Sequence, residues 1–112
     1  MRIELPSGNW VEIREALKAK DKFAVQNAVK FTMTDGKQQE FSAGIQNEMR
    51  AALLGQVITA WSFEGIPIPS TGLAPAAVVL GETLDIDDYN ELEKQTDDLF
   101  EKVRLAGGRS PN

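Results

Sequence analysis

Val57 to Ser70, VITAWSFEGIPIPS, is the stretch on which the fold turns. An apolar run ends there on Trp61 and Phe63 and then meets Pro67 and Pro69. Ile45, Met49, Ala52, Leu53, Val57, Ala60 and Trp61 form one stripe at spacings of three and four, and Leu54 and Ile58 widen it. With Ser42 as candidate N-cap, the pattern predicts a helix over residues 42–62. A stripe this wide marks the central helix of a core. Gly55 costs such a helix about 1 kcal/mol against alanine, and it admits close approach of a neighbouring backbone. Pro67 and Pro69 forbid continuation and bias Ile66 and Ile68 to extended geometry.

Upstream, Ile3 and Leu5 alternate with Arg2 and Glu4, and Val11 and Ile13 with Glu12 and Arg14. That period of two predicts a β-hairpin over residues 2–14, turned by Pro6, Ser7, Gly8 and Asn9. Two strands alone are marginal, so the hairpin must lie on something. Asp21 can cap a helix over 21–31, with Ala24, Ala28 and Phe31 on one face beside Val25 and Val29. Asp35-Gly36 marks a turn.

Downstream, PSTGLAPAAVVLG is a low-charge connector whose AAVVL is either a short strand or a tucked-in loop. A helix is predicted over 85–105. Asp85 is its cap, Asp87 and Asp88 occupy the first turn, and Tyr89, Leu92, Thr96, Leu99 and Val103 form the inner stripe. Lys102 and Arg104 lie in its last turn, Gly107-Gly108 end it, and residues 106–112 read as a frayed tail. The order is ββ-α-α-α: a small, mainly helical α+β single domain over 1–112, with an N-terminal hairpin and three helices.

Composition narrows the chemistry. At 112 residues, 42% hydrophobic and 26% charged, one core is expected and wholesale disorder is not. The chain has no Cys and no His. It therefore has no thiolate, no disulfide, and neither the commonest general base nor the commonest transition-metal ligand. No apolar run reaches the roughly 18–20 residues of a membrane span, and MRIELPSGNW has no signal-peptide h-region. A cytosolic protein is expected.

Residues 1–56 carry eight Lys and Arg against seven Asp and Glu, and residues 57–112 carry four against ten, which gives the net charge of −5. An acidic second half disfavours nucleic acid. The basic stretch REALKAKDK (14–22) is interrupted by Glu15 and Asp21, lacks aromatic stacking residues, and reads as a solvated loop.

The cluster Asp85, Asp87, Asp88 and Glu91 lacks the glycine of a calcium loop and reads as a helix start with a solvated face. No catalytic, cofactor or metal residue is assigned. The remaining candidates are apolar: Leu54, Ile58, Trp61, Phe63, Ile66 and Ile68, a surface at the aromatic end of the long helix for another chain. Trp61 has two readings, core packing or groove wall, and both hold if Trp61 lies inside with Ile66 and Ile68 on the rim.

LPSGNWVEIRE (5–15), DKFAVQNAV (21–29), LLGQVITAWSFEGIPIPS (53–70) and LDIDDYNELEKQTDDLFEKV (84–103), in that order, resemble the tail assembly chaperones of long-tailed bacteriophages, most strongly those of phages infecting actinobacteria. AWSF with its prolines (60–69) and DIDDYNELEK (85–94) carry most of the likeness, which spans about residues 2–104. It implies a non-enzymatic protein that binds the tape measure protein in the host cytoplasm, recruits tail tube protein, and is absent from the mature virion. It also implies a second, longer form made by translational frameshifting, of which this chain would be the short counterpart. Self-association is compatible with copies lining up along an extended client. The alternative is a small structural virion protein, a tail or head–tail joining component.

Overall fold

The chain opens with two strands, β1 (Arg2–Glu4) and β2 (Trp10–Ile13), in the computed structural model, which describes residues 1–33, 43–71 and 74–108. They pair antiparallel with Ile3 opposite Val11. The Gly8 N–H donates to Leu5 O (2.9 Å) and the Leu5 N–H to Asn9 O (2.8 Å), which closes a three-residue loop. Gly8 sits at φ +95°, where a side chain would be strained. Helix α1 (Ala19–Met33) follows, with Val25 buried and Ala24 and Ala28 half-buried. It packs chiefly on α2 (Ala43–Val57) and also meets α5. The turn expected at Asp35-Gly36, the Ser42 cap, and the side chains of Val29, Phe31, Ile45 and Arg104 lie outside the described residues.

The long helix expected over 42–62 stops at Val57, and β3 (Ile58–Trp61) continues the chain as a third strand, in the order β1-β2-β3. Val11 faces Trp61, Glu12 faces Ala60, and Ile13 faces Ile58, so Thr59 is one residue extra at a bulge. That bulge explains the misreading. In a regular strand Ile58 and Trp61, three apart, point to opposite faces. With a residue bulged out, both partner inward-facing residues of β2, which imitates helical spacing. The β-branched run Val57-Ile58-Thr59, poor in helix and good in strand, was the contrary signal.

After a 3-10 turn (Pro69–Thr71), the AAVVL segment is neither strand nor loop but the body of α3 (Ala76–Thr83). Pro75 is its N-cap residue, and Leu80 is its buried contact. Gly55 is what lets α3 approach: a Cβ there would lie 2.7 Å from Ala76 Cβ.

The helix expected over 85–105 is two helices, α4 (Ile86–Gln95) and α5 (Asp97–Gly108). Thr96 divides them. Its buried hydroxyl donates to Leu92 O (2.7 Å), which also accepts the Thr96 N–H (3.1 Å), and at φ −109°, ψ 8° Thr96 leaves helical geometry. Asp97 and Asp98 then start α5 as Asp87 and Asp88 start α4. Gly107 and Gly108 are the last residues of α5, so Ala106 to Gly108 belong to the helix; residues 109–112 lie outside the described set. Among the described residues the result is a single domain with a three-stranded antiparallel sheet and five helices where a hairpin and three helices were expected. Its core joins Ile3, Val11, Ile13 and Ile58 of the sheet to Leu53, Leu54 and Val57 of α2, Leu80 of α3, Leu92 of α4 and Phe100 of α5.

Candidate partner-binding surfaces

Two of the six candidate apolar residues belong to the core. Leu54 is 0% exposed and Ile58 1%, because α2 ends on the sheet and buries both. Neither is available to a partner.

The other four, half-buried or exposed, make up the ridge at the end of β3. Trp61 and Phe63 are half-buried and meet edge to face, with centroids 5.2 Å apart at 82°. The Trp61 indole N–H donates to Ile66 O (2.9 Å), so the ring is fastened to the segment beyond it. Phe63 to Ile66 make a turn closed by the Ile66 N–H on Phe63 O (3.4 Å), with Gly65 at φ +75° as its third residue. Trp61, Phe63 and Ile68 all pack against the core, and Ile66 is the exposed member of the four at 40%. Trp61 both packs against the core and keeps partial exposure.

A concavity elsewhere on the surface has no counterpart in the sequence pattern. A groove of about 520 Å³ opens between α2, α3 and α4. Ala51, Leu80, Leu84 and Tyr89 form its apolar lining, and among the described residues Glu48, Asp85 and Glu93 add three carboxylates, of which Glu93 is paired with Arg50 (3.3 Å). Ile86, at the start of α4, lines it while 71% exposed. Burial raises the Tyr89 hydroxyl above its ordinary pKa, and the Glu93 carboxylate adds to the effect. The groove was illegible because it needs α3 as a wall, and AAVVL carried no helical period.

Two arginines hold these surfaces in place. Arg14 was expected in a solvated loop, but it forms a bidentate pair with Asp21 (3.0 and 2.9 Å) and donates to Gln56 O (3.1 Å) and to Ala16 O. Its own backbone N–H donates to Val57 O (2.9 Å), so it clamps the helix-to-strand switch. Asp21 is 0% exposed. It sits in the first turn of α1 and accepts the Lys18 N–H (2.7 Å), the reach-back half of a capping box. Burial pushes the Asp21 carboxyl up, but the Arg14 hydrogen bonds and charge together with the Lys18 N–H outweigh it and hold the group below the ordinary carboxylate range. Arg50 secures the α4–α5 joint. It pairs with Glu93 (3.3 Å) and Asp97 (3.0 Å) and lies 4.4 Å over the Phe100 ring.

The acidic helix start is engaged structurally. Asp85 accepts the Asp88 N–H (2.8 Å) as the expected cap. Asp88 is buried, against the expectation of a solvated face, because its carboxylate accepts both the Ser7 N–H (3.0 Å) and the Ser7 hydroxyl of the hairpin loop. Among the described residues no three Asp or Glu side chains converge as a metal site, and no helix is long and apolar enough to cross a membrane. No protein-family model, curated protein or solved structure matches the chain.

Proposed function

We propose that this chain is a phage tail assembly chaperone that binds the tape measure protein without catalysis and promotes growth of the tail tube around it. The observation that carries the reading is the ridge. Residues 60–69, one of the two segments on which the family resemblance rests, bring Trp61, Phe63, Ile66 and Ile68 onto one continuous stretch with Ile66 outward. A holdase for a long helical client needs an apolar contact of this kind, held rigid before binding so that little entropy is lost on association. The fastened indole and the glycine turn supply that rigidity. The acidic second half of the chain keeps such a complex dispersed.

Co-expression with segments of the tape measure protein, followed by pull-down, tests the reading. Retention of at least one segment, weakened by Ile66→Asp, is expected; retention of none contradicts it. The rival role, a structural component of the tail or head–tail junction, makes a different demand. Mass spectrometry of purified particles then finds the chain in stoichiometric copies, whereas an assembly chaperone acting in the host cytoplasm is missing from them.

A further inference from the structure

We infer that the groove between α2, α3 and α4 is the seat for the start of α1 of a second copy of this chain, so that copies associate head to tail. The two surfaces are complementary in chemistry. Phe23 is 56% exposed on α1, a large aromatic ring left without cover. Lys20 lies one turn before it on the same face, also exposed, and Lys18 precedes the helix. The groove offers the converse: a volume of about 520 Å³ walled by Leu80, Leu84, Ile86 and Tyr89, with the carboxylates of Glu48 and Asp85 beside them and Glu93 already paired with Arg50 (3.3 Å). Ile86, 71% exposed, gives the incoming ring an aliphatic contact. Charge supports the polarity of the contact, since residues 1–56 balance at +1 and residues 57–112 at −6. An interface that joins two different patches is heterologous, so it propagates into rings or open arrays and does not stop at a symmetric dimer. The ridge is not used and remains free for a client.

Sedimentation velocity across about 10 μM to 1 mM reads the association. The wild-type chain is expected to self-associate with concentration and to dissociate as salt rises from about 0.05 to 0.5 M. Phe23→Asp and Ile86→Asp, both at exposed positions, each abolish it. Ile86→Asp makes the groove more negative, so plain attraction to lysines would strengthen association, whereas the proposed seat loses it. Mixed together, the two variants recover a one-to-one dimer that grows no further, because one keeps the groove and the other keeps Phe23. Gly81→Trp fills the groove from a position where an added Cβ meets nothing within 4 Å, and it repeats the effect of Ile86→Asp. Lys20→Glu does the same for the opposite surface.

A chain that stays monomeric throughout overturns the inference. So does association lost in Ile86→Asp but kept in Phe23→Asp, which would mean an isologous contact, and so does failure of the mixture to recover. These results leave the chaperone reading untouched, since tape measure pull-down by Phe23→Asp and Ile86→Asp is scored separately. Self-association with no tape measure retention sinks that reading and leaves this inference standing.

Discussion

Replacing Arg14 with methionine removes the clamp beneath the helix-to-strand switch, and its cost follows from the geometry. Asp21 accepts three hydrogen bonds, two from Arg14 (3.0 and 2.9 Å) and one from the Lys18 N–H (2.7 Å). The variant keeps one of the three at a carboxylate that is 0% exposed. Stripping one partner from a buried pair costs about 3–5 kcal/mol, because the remaining charge stays desolvated. At about 4 °C per kcal/mol for a domain of this size, the melting temperature at neutral pH falls by roughly 12–20 °C.

The loss depends on pH with a definite sign. In the wild type the Asp21 pKa is depressed, so its stabilisation is complete above the unfolded value of about 3.9 and fades as pH falls through the folded value. In the variant, burial acts with less opposition, and Asp21 takes up its proton at higher pH. The gap between the two proteins is therefore widest near neutrality and closes toward pH 3. Arg14→Met with Asp21→Leu removes both charges and recovers most of the loss, leaving about 1–2 kcal/mol for the unpartnered Lys18 N–H and Gln56 carbonyl. Urea denaturation across pH 3–8 measures all three proteins. A neutral-pH loss under about 1 kcal/mol, or a gap that widens on acidification, refutes the reasoning.

Two further substitutions probe the packing. Gly55→Ala puts a methyl 2.7 Å from Ala76 Cβ and forces α2 and α3 apart. Overpacking of about 1–3 kcal/mol exceeds the roughly 1 kcal/mol gained in helix propensity, and adding Ala76→Gly relieves the clash; denaturant midpoints that show simple additivity contradict the close approach. Asp85→Ala loses a cap and costs about 1 kcal/mol, whereas Asp88→Ala also strips the partner from the Ser7 N–H and hydroxyl and costs about 1–3 kcal/mol. Calorimetric melting that ranks Asp85 above Asp88 is inconsistent with the buried link.

What could be read in advance was local. The hairpin follows from strict alternation and a Pro-Ser-Gly-Asn turn, both written in neighbouring residues. The Asp85 cap follows from the acidic first turn behind it. The departures came where tertiary pairing overrides local period. Ile58 and Trp61 share a face only because Thr59 bulges against β2, nearly fifty positions away in the chain. Thr96 occupies the expected stripe position, yet its hydroxyl bonds back to Leu92 O and its backbone leaves helical geometry, so the helix divides there; Thr-Asp-Asp at 96–98 was the available sign of a new start. Val78 and Val79 belong to a helix against their β-branched preference because Gly55 leaves room for Ala76 to dock. Trp61, Phe63, Ile66 and Ile68 stand out in the sequence because they adjoin in the chain, and each keeps some exposure. Leu54 and Ile58 were misplaced because the sheet that buries them was incomplete. The Arg14–Asp21 pair was missed because nothing local distinguishes a clamped arginine from a solvated one.

The central claim is that the ridge from Trp61 to Ile68 holds an aggregation-prone client in solution. The most direct measurement is the soluble fraction of tape measure protein produced with the wild-type chain, with Ile66→Asp, or alone. Ile66 is 40% exposed, so the variant keeps its fold, as circular dichroism can verify. The account predicts soluble client with the wild type and a loss toward the level of client alone with Ile66→Asp. Equal solubility in all three would contradict it.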